Sequence, residues 1–334
     1  MKTKQEVSLG QFFTKKDVWL KPQIKAFIHH FQPEWIYDPF AGKGDILKAM
    51  ESIGFNQHIG CDIDESHQWQ KQDSLVYIKP IPKAMIVTNP PYLSNYSASR
   101  KKVIHQMVQY FNSNNHHDLY FIALDRMLET NLPIVAIIPE TFILSDYPHK
   151  NRLHSITILE DNPFEDTDVP VCVACFNPTE SSKDAILVYK NEQYLFDYQT
   201  LLHMRLKSNR TIPMRFNDPS GWLALRAVDS TNPSKPIAFS FKEDMDYDWD
   251  HGIKVSSRLY TLIQMEVPEE LRFSLIEKAN QILHQLRKES FDVILSPFKG
   301  NMKTGVRRRR LDYQTARAIL ERSVKELQLR AKEG

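Results

Sequence analysis

The first half of this 334-residue chain alternates between segments of helical periodicity and short apolar strands. The helical patterns cover residues 17–31, 45–53, 99–111 and 118–129. The strand patterns cover residues 35–38, 58–62, 84–88, 133–138, 155–159 and 171–176. Strands separated by helices of this length predict a parallel sheet with helices on both faces. We therefore expect an α/β fold here, with ligands bound beyond the carboxyl ends of the strands, where the topology switches.

The alternation fades after about Asn177, and the sequence changes character. Proline- and serine-rich pieces occur at residues 217–221 and 232–236, and long amphipathic helices are predicted over 268–288 and 312–332. The change predicts a domain boundary near residues 177–182. We expect a first domain over residues 1–177 and a second over residues 178–334.

Composition narrows the class of protein. Three cysteines are too few for a disulfide framework and suggest a reducing cytoplasm. The sequence has neither a signal-peptide pattern nor a run of about 18 apolar residues, so a cytoplasmic protein without a membrane span is expected. Cys172 and Cys175 have the spacing of a metal or redox motif, but they lie in the predicted strand over 171–176. The paired histidines at 29–30 and 116–117 lack partner ligands, and no metal is predicted.

A glycine turn follows the first predicted strand. Asp38 ends that strand, and Gly42 and Gly44 follow it, where a ligand that approaches the backbone closely requires residues without a β-carbon. The second predicted strand ends in Asp62, whose carboxylate can hold a ribose diol. Asp73 follows the next short segment and could accept a hydrogen bond from an adenine amino group. Each feature alone is common in ordinary turns, but their order predicts a nucleoside site.

The segment Asn89-Pro90-Pro91-Tyr92 follows the strand over 84–88 and is the sharpest signal in the chain. Two prolines make this elbow rigid, and each residue before a proline is held extended. The Asn89 side-chain oxygen and the Pro90 carbonyl are uncharged acceptors that could grip both hydrogens of an exocyclic amine. The Tyr92 ring could stack on the base that carries the amine. The pattern favours chemistry at a nucleobase amino group.

The order of these motifs resembles that of the γ-class amino-methylating DNA methyltransferases, which modify adenine N6. The resemblance covers about residues 8–177. Gly10-Gln11-Phe12-Phe13-Thr14 resembles the family element that holds the methionine part of the cofactor, and Ile137-Ile138-Pro139 resembles the family's next strand. Ser74 and Lys43 depart from the usual family residues.

The resemblance implies a Rossmann-like methyltransferase sheet with a C-terminal DNA-recognition domain, and S-adenosyl-L-methionine as cofactor. It implies catalytic roles for Asn89, Pro90, Pro91 and Tyr92, with Tyr92 and Phe164 stacking on a flipped-out target base. The implied cofactor contacts are Phe13, Thr14, Asp38, Phe40, Gly42, Gly44, Asp62, Ile63, Asp73 and Ser74.

Positive charge is concentrated at the end of the chain. Residues 301–334 hold ten Lys or Arg against four Asp or Glu. Such a block is usually solvated surface, but a protein with a nucleotide-type site can use it to contact phosphates. We expect DNA contacts from Lys299, Lys303, Arg307, Arg308, Arg309 and Arg310. The resemblance implies double-stranded DNA as partner and a monomeric protein, and leaves open whether a cognate restriction endonuclease accompanies it.

Other functions share parts of this pattern. An RNA base methyltransferase acting on adenine N6 or guanine N2, or a methyltransferase of protein glutamine, uses a similar elbow. Cytosine N4 is disfavoured because that chemistry usually has Ser or Asp where Asn89 stands. A dehydrogenase is disfavoured because the third glycine of its turn is missing. A catalytically silent nucleic-acid-binding protein would be expected to have lost Asn89, Asp62 or the glycines, and all are present.

Overall fold

The structure is a computed structural model that describes residues 18–100, 104–164, 167–180, 185–249 and 259–333. These residues form two compact units that divide between Tyr198 and Gln199. Among the helices of the described ranges, none combines the length and the apolar character that crossing a bilayer requires.

The first unit is built from nine strands and five helices in the part of the chain described. In chain order these are α1 (Pro22–Phe31), β1 (Trp35–Asp38), α2 (Asp45–Glu51), β2 (His58–Asp62), β3 (Gln70–Lys71), β4 (Ala84–Thr88), α3 (Asn95–Arg100), α4 (Ile104–Asn112), α5 (Leu119–Glu129), β5 (Ile134–Pro139), β6 (Leu153–Ile158), β7 (Val171–Phe176), β8 (Leu187–Lys190) and β9 (Gln193–Asp197). Two short 3-10 turns, Glu140–Leu144 and Pro148–Arg152, lie between β5 and β6.

The nine strands form one mixed sheet in the order β3-β2-β1-β4-β5-β7-β6-β8-β9. The strands from β3 to β5 are parallel, which confirms the expected α/β fold. β7 runs antiparallel to both β5 and β6, a direction that its fully apolar sequence does not indicate. β8 and β9 continue this sheet beyond residue 177, with β8 parallel to β6 and β9 antiparallel to β8.

Burial on both faces explains why the central strands are apolar throughout. Every residue of β4 and β7 is buried, as expected for strands covered on two sides. The main core cluster joins Ile24 of α1, Leu47 of α2 and Val87 of β4, while α5 packs against β5. The CxxC pair, Cys172 and Cys175, is part of this buried strand. The helices cover the faces of the sheet.

The second unit carries a four-stranded antiparallel sheet, a hairpin and two long helices. Its elements are α6 (Tyr198–Met204, which begins at the last residue of the first unit), β10 (Met214–Phe216), β11 (Leu223–Arg226), β12 (Ala238–Phe241), β13 (Tyr260–Met265), α7 (Glu269–Glu289), β14 (Ser296–Asn301), β15 (Arg307–Arg310) and α8 (Tyr313–Glu333). The sheet order is β10-β13-β11-β12, and β14 pairs with β15. α7 packs on β12 and on α8, so the two helices predicted in this region are confirmed.

Candidate active site

Four neighbouring strands of the first sheet lead into polar side chains at the same edge. Asp73 follows β3, Asp62 ends β2, Asp38 ends β1, and Asn89 follows β4. These strands are adjacent in the order β3-β2-β1-β4 and parallel, so their carboxyl ends meet. The chain moves outward from β1 to β3 and then returns to the other side of β1. That change of direction is the switch point at which open α/β sheets bind ligands.

A cleft of about 970 Å³, counted to its open mouth, lies at this edge. The residues that sequence analysis selected and that line it are Asp38, Phe40, Gly42, Asp62, Ile63, Asp73, Ser74, Asn89 and Pro91. Lining residues that sequence analysis did not select include His67, Gln72, Met107, Tyr110 and Leu119. Phe13 and Thr14 lie outside the described residues.

The Asp62 carboxylate is held by backbone amides on both oxygens. Its Oδ2 accepts a hydrogen bond from Gly42 N at 2.8 Å, and its Oδ1 accepts one from Asp64 N at 2.9 Å. These contacts connect the glycine turn after β1 to the end of β2. Each oxygen keeps a lone pair for a further donor, so a fixed carboxylate faces the cleft and suits a vicinal diol.

The two glycines of the turn have different neighbours. Gly42 has φ +50°, and a β-carbon there would meet no atom within 4 Å. Gly44 has φ +75°, and a β-carbon there would lie 2.6 Å from the Trp69 ring, outside the cleft lining. The Trp69 indole donates to Gly42 O at 2.8 Å and also fills the space next to Gly60. Gly44 therefore makes room for Trp69, and Trp69 braces the turn.

We expect alanine substitutions at these glycines to have different effects. Gly44→Ala should lower the free energy of unfolding by about 1–3 kcal/mol, because its methyl group meets Trp69 at an unfavourable φ. Gly42→Ala should cost about 1 kcal/mol from φ alone, and it should mainly weaken ligand binding. Urea unfolding and ligand titration of both variants test this. The expectation would be contradicted if both variants lost the same stability and Gly42→Ala bound ligand as tightly as the wild-type protein.

Asp38 is a buried acid at the base of the cleft, with 1% of its surface exposed. Its Oδ1 accepts hydrogen bonds from Thr88 Oγ1 at 2.6 Å and from Phe40 N at 3.0 Å. Burial raises the pKa of Asp38 to about 7, with a smaller upward contribution from the nearby Asp62 charge, despite these two donors. A ligand with positive charge would stabilise the ionised form, so the site favours a cation.

Asp73 is held by two donors from different elements. Its Oδ1 accepts from Leu75 N at 3.1 Å, and its Oδ2 accepts from the Tyr110 hydroxyl at 2.7 Å. Tyr110 and Met107 are three residues apart on α4, and both line the cleft. Their spacing places both side chains on one face of the helix. In a sequence, however, an apolar and an aromatic residue at this spacing more often belong to the core than to a ligand site.

The tetrapeptide after β4 places Asn89 and Pro91 in the cleft lining, while Pro90 is buried and does not line it. The Tyr92 hydroxyl lies within hydrogen-bonding distance of both Asn89 Oδ1 and Ile137 O, the latter at 2.6 Å. One hydroxyl carries one proton, so it donates fully to only one of these oxygens at a time. Rotation toward Ile137 O withdraws the Tyr92 proton from Asn89 Oδ1, which can then accept from a ligand amine.

Phe164 and Tyr92 pack on each other. Phe164 is 2% exposed and belongs to the core of the first unit. The two ring centroids are 6.0 Å apart, with an interplanar angle of 66°, which is an edge-on contact. The stacking of Tyr92 and Phe164 on a target base, expected from the sequence, stays a prediction. Neither residue is among those that line the cleft.

The four consecutive arginines of the second unit form β15, and they alternate in burial. Arg307 and Arg309 are 8% and 3% exposed, because successive side chains of a strand point to opposite faces. Arg308 Nε donates to Asp229 O at 2.7 Å, and its guanidinium lies 4.9 Å from the Phe298 ring centroid. This strand is thus integrated into the second unit.

Lys299 and Lys303 are exposed on the same hairpin, on β14 and in its turn. They are the members of the expected basic patch whose side chains face solvent most fully. A nucleic-acid contact by this hairpin would therefore depend on them more than on the arginines.

No protein-family model and no curated protein matches the chain. Among solved structures, it is similar to a type I restriction-modification methyltransferase subunit from Streptococcus thermophilus (17% identity over 55% of this chain and 47% of that chain, TM-score 0.37). It is also similar to the M protein of the type I restriction enzyme EcoKI (14% identity over 82% of this chain and 71% of that chain, TM-score 0.34). A third similar structure is the type IIL restriction-modification enzyme MmeI in complex with DNA (12% identity over 96% of this chain and 58% of that chain, TM-score 0.40). The chain thus spans about half of the Streptococcus subunit. Each TM-score is below 0.5, a level of likeness that does not establish a function.

Proposed function

We propose that this protein transfers a methyl group from S-adenosyl-L-methionine to the N6 amino group of adenine in double-stranded DNA. The observation that carries the proposal is that Asn89 shares one cleft with Asp38, Asp62 and Asp73. The carboxylates suit a nucleoside cation, and Asn89 offers an uncharged acceptor beside it.

The charge of the cleft supports a sulfonium nucleoside over a nucleotide. Its described lining holds four aspartates against one lysine and one histidine, an arrangement that repels phosphate groups. Asp62 suits the ribose hydroxyls, Asp73 suits the adenine amino group, and Ile63 and Met107 supply apolar surface for the purine. When bound, S-adenosyl-L-methionine supplies a methyl group that is activated by the positive charge of its sulfur.

The proposed role of Asn89 is to orient the target amine. Its side-chain oxygen accepts an amine hydrogen, which favours the geometry in which the nitrogen lone pair points at an electrophilic carbon. Tyr92 assists when its hydroxyl donates its hydrogen bond to the Ile137 carbonyl, because Asn89 Oδ1 can then accept from the amine. The adenine must leave the base stack to reach this edge of the sheet.

DNA is proposed as the substrate because of the resemblance in motif order and the basic end of the chain. We expect the double variant Lys299→Gln/Lys303→Gln to bind duplex DNA more weakly. Its log–log salt slope should be smaller in magnitude by about 2, since each phosphate contact contributes about 0.9. Lys288→Gln, which removes an exposed charge from α7, is the control. An unchanged slope in the double variant would remove the hairpin from the proposed DNA contact.

A direct test of the proposal is methyl transfer by the full-length protein from tritiated S-adenosyl-L-methionine. The acceptors are unmethylated genomic DNA, total RNA and a protein extract, and labelled nucleosides are identified by mass spectrometry. We expect N6-methyladenine in DNA. If label appeared only in RNA or only in protein, that acceptor would be the substrate in place of DNA. If the protein bound the cofactor but labelled no acceptor, the proposed activity would be contradicted.

A further inference from the structure

We infer that Tyr110 of α4 is a positioning residue that makes the cofactor site selective for a 6-aminopurine over a 6-oxopurine, by fixing Asp73 as an acceptor. This inference rests on the proposed function, because it assumes that an adenosyl ligand occupies the cleft. Tyr110 was not selected from the sequence, and it lies 37 residues from its partner.

The backbone around Asp73 is fixed on both sides. Gln72 N donates to Asp62 O at 2.8 Å, which ties this segment to the end of β2. Asp73 O accepts from Val76 N at 3.1 Å and from Tyr77 N at 3.2 Å, which closes a turn directly after it. The position of the Asp73 Cα atom is therefore set by the first unit's own sheet and turn.

Among the residues that the structure describes, one contact from outside this segment holds the Asp73 carboxylate. Leu75 N holds Oδ1 within the same turn, whereas the Tyr110 hydroxyl holds Oδ2 from α4. Tyr110 is 6% exposed, and its ring and Asp73 both line the cleft. Loss of the hydroxyl leaves the carboxylate with the Leu75 N contact on Oδ1 as its remaining hydrogen bond within the described part of the chain, so it can turn about its side-chain bonds.

Tyr110 acts as a donor in this pair. Burial, reinforced by the adjacent Asp73 carboxylate, raises the pKa of Tyr110 to about 12, so the hydroxyl keeps its proton. A carboxylate that already receives two donors offers only lone pairs to the cleft. An amino group at purine position 6 can donate to it, whereas a keto oxygen at that position would meet a second acceptor and be repelled.

The test measures binding by calorimetry and does not depend on catalysis. S-adenosylhomocysteine and S-inosylhomocysteine, which differ at purine position 6, are titrated into the full-length protein and its Tyr110→Phe variant. We expect the wild-type protein to prefer the adenosyl compound. The Tyr110→Phe variant should bind the adenosyl compound about tenfold more weakly, while its affinity for the inosyl compound should change little. The ratio of the two affinities should therefore become smaller. Tyr77→Phe, an exposed tyrosine of the same segment, is the matched control and should keep the wild-type ratio.

A second variant keeps the inference open to refutation if Tyr110→Phe folds poorly. Asp73→Asn replaces an oxygen by an NH₂ group, which can donate to a keto oxygen, so its preference should shift toward the inosyl compound. An unchanged ratio in Tyr110→Phe, or an equal loss for both compounds, would reduce Tyr110 to a structural residue. Failure of the wild-type protein to bind S-adenosylhomocysteine would instead refute the proposed cofactor, and this inference with it.

Discussion

Asn89→Ala is expected to lower the rate of methyl transfer by about 10²–10³-fold, the cost of removing a single group that aligns or stabilises reacting atoms. Affinity for S-adenosylhomocysteine should change by less than about threefold, because the acids proposed to hold the nucleoside remain in place. The variant keeps the rigid Pro90-Pro91 backbone, so the loss can be assigned to the side chain. Single-turnover assays with DNA, together with cofactor titration, measure both effects.

Asn56→Ala is the matched control, since Asn56 is exposed in the loop before β2. It should retain wild-type rates. Near-wild-type transfer by Asn89→Ala would remove this side chain from the chemistry. Loss of cofactor binding in parallel with activity would assign Asn89 to the nucleoside site instead.

Asp38→Asn is expected to weaken cofactor binding and, at the same time, to stabilise the ligand-free protein. Losing a carboxylate near a cationic ligand should cost about tenfold to a hundredfold in affinity. The folded pKa of Asp38 is raised from its ordinary value of 3.8 to about 7, so the folded state binds an extra proton between these values. The stability of the free protein should therefore fall as pH rises from about 4 to about 7, with an effect on the order of 4 kcal/mol from this group.

This predicts a stability gain that depends on pH. Asp38→Asn should raise the free energy of unfolding most above pH 7, where the wild-type acid is ionised and buried, and little near pH 4. In the wild-type protein, affinity for S-adenosyl-L-methionine should rise as pH increases through 7. Urea unfolding between pH 5 and pH 8 tests the stability effect, with exposed Asp244→Asn as the control. A variant that is less stable than wild type at pH 8 would show that the charge of Asp38 is compensated in the free protein.

Much of the first unit could be predicted because its local signals agree. β1, β2 and β4 follow the predicted strands, since segments of four or five residues have the length of a strand and are too short for a typical helix. The acids at their carboxyl ends then meet by topology alone. The direction of β7 could not be predicted, because its buried residues do not depend on which way the strand runs.

Residues that act through distant partners were not predictable in the same way. Tyr110 reaches Asp73 across 37 residues, and the Trp69 ring lies beside Gly44, which stands before β2 in the chain. Both effects need three-dimensional proximity that no local pattern encodes. Phe164 was selected by its position in a motif order, but the structure packs it against Tyr92 in the core.

The four arginines illustrate a conflict between composition and strand geometry. A run of four like charges predicts solvated surface, yet the alternation of β15 buries Arg307 and Arg309. The buried carboxylate of Asp229 accepts two hydrogen bonds from the Arg287 guanidinium, at 2.8 and 3.0 Å. It also accepts one from the backbone amide of Arg309 at 3.0 Å. Variants that neutralise Arg307 or Arg309 would therefore change the stability of the second unit as well as any binding to DNA.

The most direct test of the central claim is made in a host that lacks adenine methylation. The full chain and its Asn89→Ala variant are expressed there, and the genomic DNA is sequenced with reads that detect modified bases. We predict N6-methyladenine at a defined sequence with the wild-type chain and none with the variant. Unmodified adenine in both samples, from a soluble protein that binds S-adenosyl-L-methionine, would contradict the proposed activity on DNA.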